Sequence, residues 1–187
     1  MLRPLDKSDL EIILEWRNAL AVRRSMYSRH EISWNEHQLW FKQMQADESK
    51  CWYLYLGKDD GPAGVVYFTE WNRLQDTAFW GFYANPTATQ GTGMKMSLAA
   101  LDHAFNKLRI QKLNADVLAS NPKSLSMHKK VGFIEEGCFR EQYFNGKERI
   151  DVIRLGMLAR EWIKNRPRLE TSITTLDTHA FHWCNDL

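Results

Sequence analysis

The chain has 187 residues, of which 44% are hydrophobic and 26% charged, and 25 Lys and Arg against 23 Asp and Glu leave a formal charge of +2. That length fits one domain with a core of its own, and the balance excludes a disordered chain. So small a positive excess gives no whole-domain argument for nucleic acid or a membrane surface, and no apolar run approaches the ~20 residues of a spanning helix.

Cys51, Cys138 and Cys184 lie far apart and offer neither zinc spacing nor a disulfide framework. Asp6, Asp9, Glu11 and Glu15 keep the first twenty residues from reading as a secretory signal. A reducing cytoplasm is therefore expected, with no metal, no nucleic acid and no membrane partner.

Leu2 to Leu5 starts the chain as a short edge strand. Ser8 followed by Glu11 reads as a capping box, and Leu10, Ile13, Leu14 and Ala21 fall on helical spacing, predicting a helix from Asp9 to Leu20. Ser33 and Glu36 repeat that signature before a second amphipathic helix, Trp34 to Ala46. Cys51 to Leu56 is an aromatic strand. Asp59-Asp60-Gly61-Pro62 then turns the chain into a returning strand, Gly64 to Trp71. Ala78 to Ala84 is a third strand of this group, stopped at Pro86. Met94, Leu98, Leu101 and Phe105 stripe a helix from Met94 to Leu108, and Lys112 to Ala119 is another strand. Asn121-Pro122 opens a helix that ends at Val131-Gly132. Phe133 to Tyr143, the turn Asn145-Gly146 and Glu148 to Leu158 form a late hairpin. The domain is set at residues 1–164. Residues 165–187, polar and broken by Pro167, read as a tail that Phe181 and Trp183 could dock. The order β-α-α-β-β-β-α-β-α-β-β is a mixed α/β or α+β single domain.

Two stretches carry chemistry. Gln90-Gly91-Thr92-Gly93-Met94 lies between a strand and a long helix. Its glycines let backbone approach a ligand, and the helix start offers free N–H groups to an anion. It fits neither a dinucleotide fingerprint nor a Walker loop, so a plain tight turn stays open. The second stretch runs from Asn121 to Gly132-Phe133 and puts Asn121 and His128, seven residues apart, on one helix face. Asn121 is either a pure cap or a ligand contact, and His128 either structural or catalytic.

Taken in this order, Gln90-Gly-Thr-Gly93, Val117, Asn121, His128 and Gly132-Phe133 resemble the GNAT superfamily of acyl-CoA N-acyltransferases, over about Leu2 to Leu158. Two positions depart from the usual pattern: Ala88 replaces Gln or Arg, and His128 replaces Tyr. Leu14-Glu15-Trp16-Arg17-Asn18, Met26, His30, Asn35-Glu36-His37, Gly64-Val65-Val66 and Gly81 to Pro86 are similar to the flagellin-sugar branch, which acetylates UDP-4-amino-4,6-dideoxy-N-acetyl-β-L-altrosamine in pseudaminic acid synthesis. The Trp-Arg-Asn element also occurs in ribosomal-protein N-acetyltransferases.

The resemblance implies a mostly antiparallel sheet of six to seven strands with a central V-shaped splay, flanked by helices. It implies direct acetyl transfer from acetyl-CoA to the 4-amine of a UDP-amino sugar, through a tetrahedral intermediate. CoA would meet Tyr83, Ala84 and Asn85 at the splay, Gln90 to Met94 at the glycine turn, and Asn121. His128 would protonate the thiolate and Asp116 would serve as base. Arg17, Met26, His37, Tyr67, Thr69 and Glu70 would meet the sugar nucleotide, with Tyr67 and Glu70 as alternative bases and Trp40 and Trp71 as pocket walls. A homodimer is allowed. A protein or peptide N-acetyltransferase and a non-catalytic acyl-CoA binder are the rival readings.

Overall fold

Seven strands form one sheet: β1 (Leu2–Pro4), β2 (Cys51–Leu56), β3 (Pro62–Asn72), β4 (Thr77–Ala84), β5 (Lys112–Leu118), β6 (Ile134–Phe144) and β7 (Arg149–Leu158). Their order is β1-β2-β3-β4-β5-β7-β6. This computed structural model describes the backbone of residues 1–57 and 61–182, with side chains to residue 174. Helices α1 (Leu10–Asn18), α2 (Leu20–Arg23) and α3 (Trp34–Gln45) precede β2. Helix α4 (Thr92–Asp102) joins β4 to β5, α5 (Pro122–Val131) joins β5 to β6, and α6 (Ala159–His182) follows β7.

Strand alternation sorts the side chains onto two faces. Tyr53, Tyr55, Val66, Phe68, Ala78 and Trp80 point into a core closed by α4 and α6, with Met96, Leu101 and Trp162 fully buried. Leu54, Val65 and Tyr83 point the other way, onto Leu10, Ile13, Trp16 and Phe41 of α1 and α3. Every neighbouring pair is antiparallel except β4 and β5, which run parallel and pair only where Thr77–Phe79 face Lys112–Asn114. Past Phe79 and Asn114 the two strands diverge, as the resemblance implied.

Four local expectations are corrected. The first cap is Asp6, not Ser8. Its carboxylate accepts from the Ser8 N–H (2.9 Å) while Asp9 accepts from the Asp6 N–H (2.8 Å), a reciprocal box around one tight turn. Asp9 also takes both Arg3 guanidinium nitrogens at 2.6 and 2.7 Å, a bidentate pair open to a carboxylate and not to a serine. Second, α1 stops at Asn18, because Ala19 turns to an extended ψ of 133° before α2 resumes. Third, Ser33 caps the Glu36 N–H, but the Glu36 carboxylate goes to His30 (2.8 Å) and the box is half made. The helix after the glycine turn covers its expected span and closes on a wider π-type turn, His103–Lys107.

The fourth correction concerns the tail. Residues from Asn165 continue α6 through Pro167, and Leu169 and Ile173 are buried. Trp162, Leu169 and Ile173 recur at seven and four residues, one helix face packed on the core. Asp102 fixes this helix, accepting from Trp162 Nε1 (3.1 Å) and Arg166 Nε (2.8 Å). The domain therefore runs past residue 164. The Phe181 side chain and Trp183 lie outside the described residues.

Candidate active site

The divergence of β4 from β5 opens a wedge of about 530 Å³. Gly81 to Ala84 form one wall, Ala115 to Leu118 the other, and Asn121, Ser124, Met127 and His128 of α5 lie beyond. Backbone that would have paired across the sheet lines the gap instead. The start of α4 lies off the end of β4. Gly91 caps it at φ +89°, a left-handed conformation that a Cβ would disfavour. No side chain caps this helix, its first turn carries no acid, and a Cβ built on Gly91 or Gly93 meets nothing within 4 Å. An anion can approach this positive helix end without obstruction.

His128 is only 4% exposed. Its Nδ1 donates to the Ser124 carbonyl (2.8 Å), and Trp80, Phe82 and Phe133 surround the ring with centroids 5.2 to 5.8 Å away. Burial pushes its pKa below the ordinary histidine value, opposed by the Ser124 carbonyl. Asp116, on β5, turns both oxygens to Arg154 of β7, at 2.5 Å from Nε and 3.0 Å from Nη2. Arg154 in turn lies against the rings of Phe79 and Phe139. Asn121 Oδ1 caps α5 through the Ser124 N–H (3.1 Å), and the same residue lines the wedge.

A second cavity, about 350 Å³, lies beneath α1 and α3. Arg17 and Asn18 at the end of α1 hold the loop that roofs it. Arg17 Nη2 donates to the Ser28 carbonyl (2.8 Å), and Asn18 exchanges two hydrogen bonds with the Ile32 backbone (2.8 and 2.9 Å). Arg17 Nη1 is buried with no partner among the described residues, and burial pushes the guanidinium pKa down. His37 stacks on Trp40 (5.0 Å, 15°), and its Nε2 is likewise buried and unpartnered. Burial lowers the His37 pKa, the Leu10 carbonyl opposes that, and the Arg17 charge adds to the lowering. Trp52 stacks on Tyr67 at 4.2 Å and meets Trp40 edge-on at 4.7 Å. Tyr67 lies so close over Gly81 that a Cβ there would come within 2.2 Å of its ring. Met26, Tyr27, Tyr67 and Tyr83 line both cavities, which therefore share a wall.

Residues 1–134 match the model of the Acetyltransferase (GNAT) domain, well over half of the chain. The chain belongs to the GNAT acetyltransferase family. It is accordingly an acetyl-CoA-dependent N-acetyltransferase. It is 28% identical over 129 residues to the acetyltransferase PseH of Campylobacter jejuni, covering 69% of this chain and 79% of that protein. It is 25% identical over 164 residues to the spermidine N(1)-acetyltransferase of Vibrio cholerae, covering 87% and 94%. The crystal structure of the Vibrio cholerae spermidine N-acetyltransferase in complex with CoA and spermine superposes with a TM-score of 0.81, at 24% identity, over 87% of this chain and 97% of that one.

Within this GNAT domain the expected residues divide. Tyr83, Ala84, Gly93, Asp116, Asn121 and His128 line the wedge, and Arg17, Met26, His37 and Tyr67 meet in the second cavity. Asn85 lines neither, because its Oδ1 closes a local turn onto Thr87 N and Oγ1 (3.0 and 2.9 Å). Thr69 and Glu70 also line neither: Thr69 pairs with Phe79, where the sheet is still closed, and Glu70 turns outward at φ +50°. Trp71 packs under Arg73 (3.9 Å) and lines neither of these two cavities. Met94 faces away from the wedge, toward α5 and α6. Sequence reasoning missed Tyr27, Ser28 and Trp52. The first two sit in an irregular loop with no periodicity to read. Trp52 was reachable, since it pairs directly with Tyr67 across β2 and β3 and so shares its face.

Proposed function

We propose that this enzyme acetylates the amine of a nucleotide-linked sugar, the 4-amino group of a UDP-linked amino-dideoxy sugar such as pseudaminic acid synthesis uses. The observation that carries the reading is the unpartnered Nη1 of Arg17 beside the unpartnered Nε2 of His37, in an aromatic cavity that adjoins the wedge. A buried guanidinium with a spare donor fits a phosphate or a uracil oxygen. Rings at Trp40, Trp52 and Tyr67 fit a flat base and the apolar face of a deoxy sugar. A polyamine would want carboxylates in place of Arg17. Glu36 is the carboxylate lining this cavity among the described residues, and it already pairs with His30.

Acetyl-CoA would lie in the wedge, its pyrophosphate at the start of α4. The Thr92 and Met94 N–H groups donate inside the turn, to Thr89 and Gly91, which leaves the seat to Gln90, Gly91 and Gly93. Backbone exposed at Tyr83 and Ala84 would polarise the thioester carbonyl, and the shared wall would bring amine and carbonyl together. Asn121 would meet CoA from the far side. The decisive experiment is acetyl-CoA turnover on UDP-4-amino-4,6-dideoxy sugars beside spermidine and ribosomal peptides. A kcat/KM at least tenfold higher for the sugar nucleotide is expected; preference for spermidine or peptide overturns the reading.

A further inference from the structure

We propose that His128 acts as a base before it acts as an acid, taking the proton of the attacking amine on Nε2 and then handing it to the departing sulfur. The inference rests on the thioester lying in the wedge and is independent of which amine is the substrate.

The hydrogen-bond geometry sets the direction. A carbonyl oxygen only accepts, so the 2.8 Å contact to Ser124 places the hydrogen on Nδ1. The neutral ring then presents a bare Nε2, which has no proton to give until it has taken one. The surroundings keep the ring neutral. Trp80 and Phe82 of β4 and Phe133 enclose it, and among the described residues no charged side chain bonds to it. The charged and titratable side chains that share the wedge are Asp116, Lys123, Tyr27, Tyr67 and Tyr83. Asp116 has both oxygens engaged by Arg154 and serves as a brace between β5 and β7. Burial raises all three phenols above their ordinary pKa, Tyr27 to about 12, so they remain protonated and cannot accept.

The step balances. The amine lone pair forms the C–N bond to the thioester carbon, and the proton this makes acidic moves from nitrogen to Nε2. The C–S bond then breaks with its electron pair on sulfur, and the same proton passes from Nε2 to sulfur. Amide, free thiol and neutral imidazole remain.

Two measurements on the full-length protein test this. Nitrogen-15 NMR of the wild-type imidazole should show the Nδ1–H tautomer with Nε2 unprotonated at pH 7; an Nε2–H tautomer or a charged ring at that pH overturns the proposal. In steady-state kinetics with whichever amine is turned over, His128→Gln should lower kcat by ~100-fold or more, with the acetyl-CoA KM changed less than twofold. A kcat near wild type overturns it. His128→Tyr separates the two orders of proton transfer, because a phenol with a pKa of ~10 can donate but does not accept. It should be as slow as the Gln variant. Wild-type-like turnover by the Tyr variant means that donation alone suffices, and the base-first order is wrong.

Discussion

The two cavities are made by different means. The wedge is cut from backbone: β4 and β5 pair over three residues and then part, and a left-handed glycine sets the helix start beside the gap. The cavity under α1 and α3 is cut from rings, with Trp40, Trp52, Tyr67 and Tyr83 packed around one arginine. A backbone site tolerates many side chains and can be shared widely in a family. A ring-built site changes with every substitution and belongs to the individual enzyme. Relatives with different names, acetyltransferase PseH and a spermidine N(1)-acetyltransferase, align to the same chain at 28% and 25% identity, as that division would have it.

The comparison can be broken from either side. The largest effect should come from Gly91→Trp. It places a bulky side chain at φ +89° over the helix start, and acetyl-CoA binding should vanish in calorimetry while affinity for the amine substrate persists. Undiminished acetyl-CoA binding would move the phosphate seat elsewhere. Arg17→Ala is the mirror experiment. Losing charged hydrogen bonds of ~1.5–3 kcal/mol should raise the amine KM about 10- to 100-fold and leave acetyl-CoA affinity within twofold. An unaltered KM would remove phosphate from the cavity.

Gly81→Ala sharpens the comparison at the shared wall. Its Cβ would meet the Tyr67 ring at 2.2 Å, so the ring must move and both substrates should lose affinity, each by a few fold. An effect on one substrate alone would show that the wall is not common to both.

The smallest effect is on stability. His37 in the ring cavity, His128 in the wedge and His103 all have pKa values lowered by burial. The unfolded chain therefore binds more protons than the native state below the ordinary histidine pKa of ~6.5. The urea midpoint should be level above that pH and decline as pH falls below it. Asp6, Asp9 and Asp47, with pKa values lowered in the fold, should add further loss below their ordinary range of ~3.9. A midpoint that rises on mild acidification would contradict neutral burial of the imidazoles.

The same division explains what could be read in advance. The glycine turn and the cap at Asn121 are written in residues with few conformational choices and stand where the sequence placed them, while the splay was implied by the family resemblance alone and stands as well. Arg17 and His37 also converge, because each lies at a fixed place on a helix. The failures have local causes. Polar residues around Pro167 hid the face that buries Leu169 and Ile173. Ser8 was a plausible cap until Asp6 competed with a charged acceptor. Thr69 and Glu70 were placed one turn of alternation too far along β3, where the sheet has not yet opened. Tyr27 is set by a tertiary hydrogen bond that no local pattern encodes.

That last bond has a consequence. Tyr143 reaches from β6 to hold the Tyr27 carbonyl at 2.7 Å, with the two rings edge to face and their centroids 5.2 Å apart. Strand β6 is one of the two edge strands of the sheet, exposed along most of its length and bulged between Phe139 and Tyr143. The roof of the ring cavity is thus moored to an edge strand that has a sheet neighbour on one side only. Wherever that edge opens, the cavity proposed for the amine should slacken while the wedge and the core stay intact.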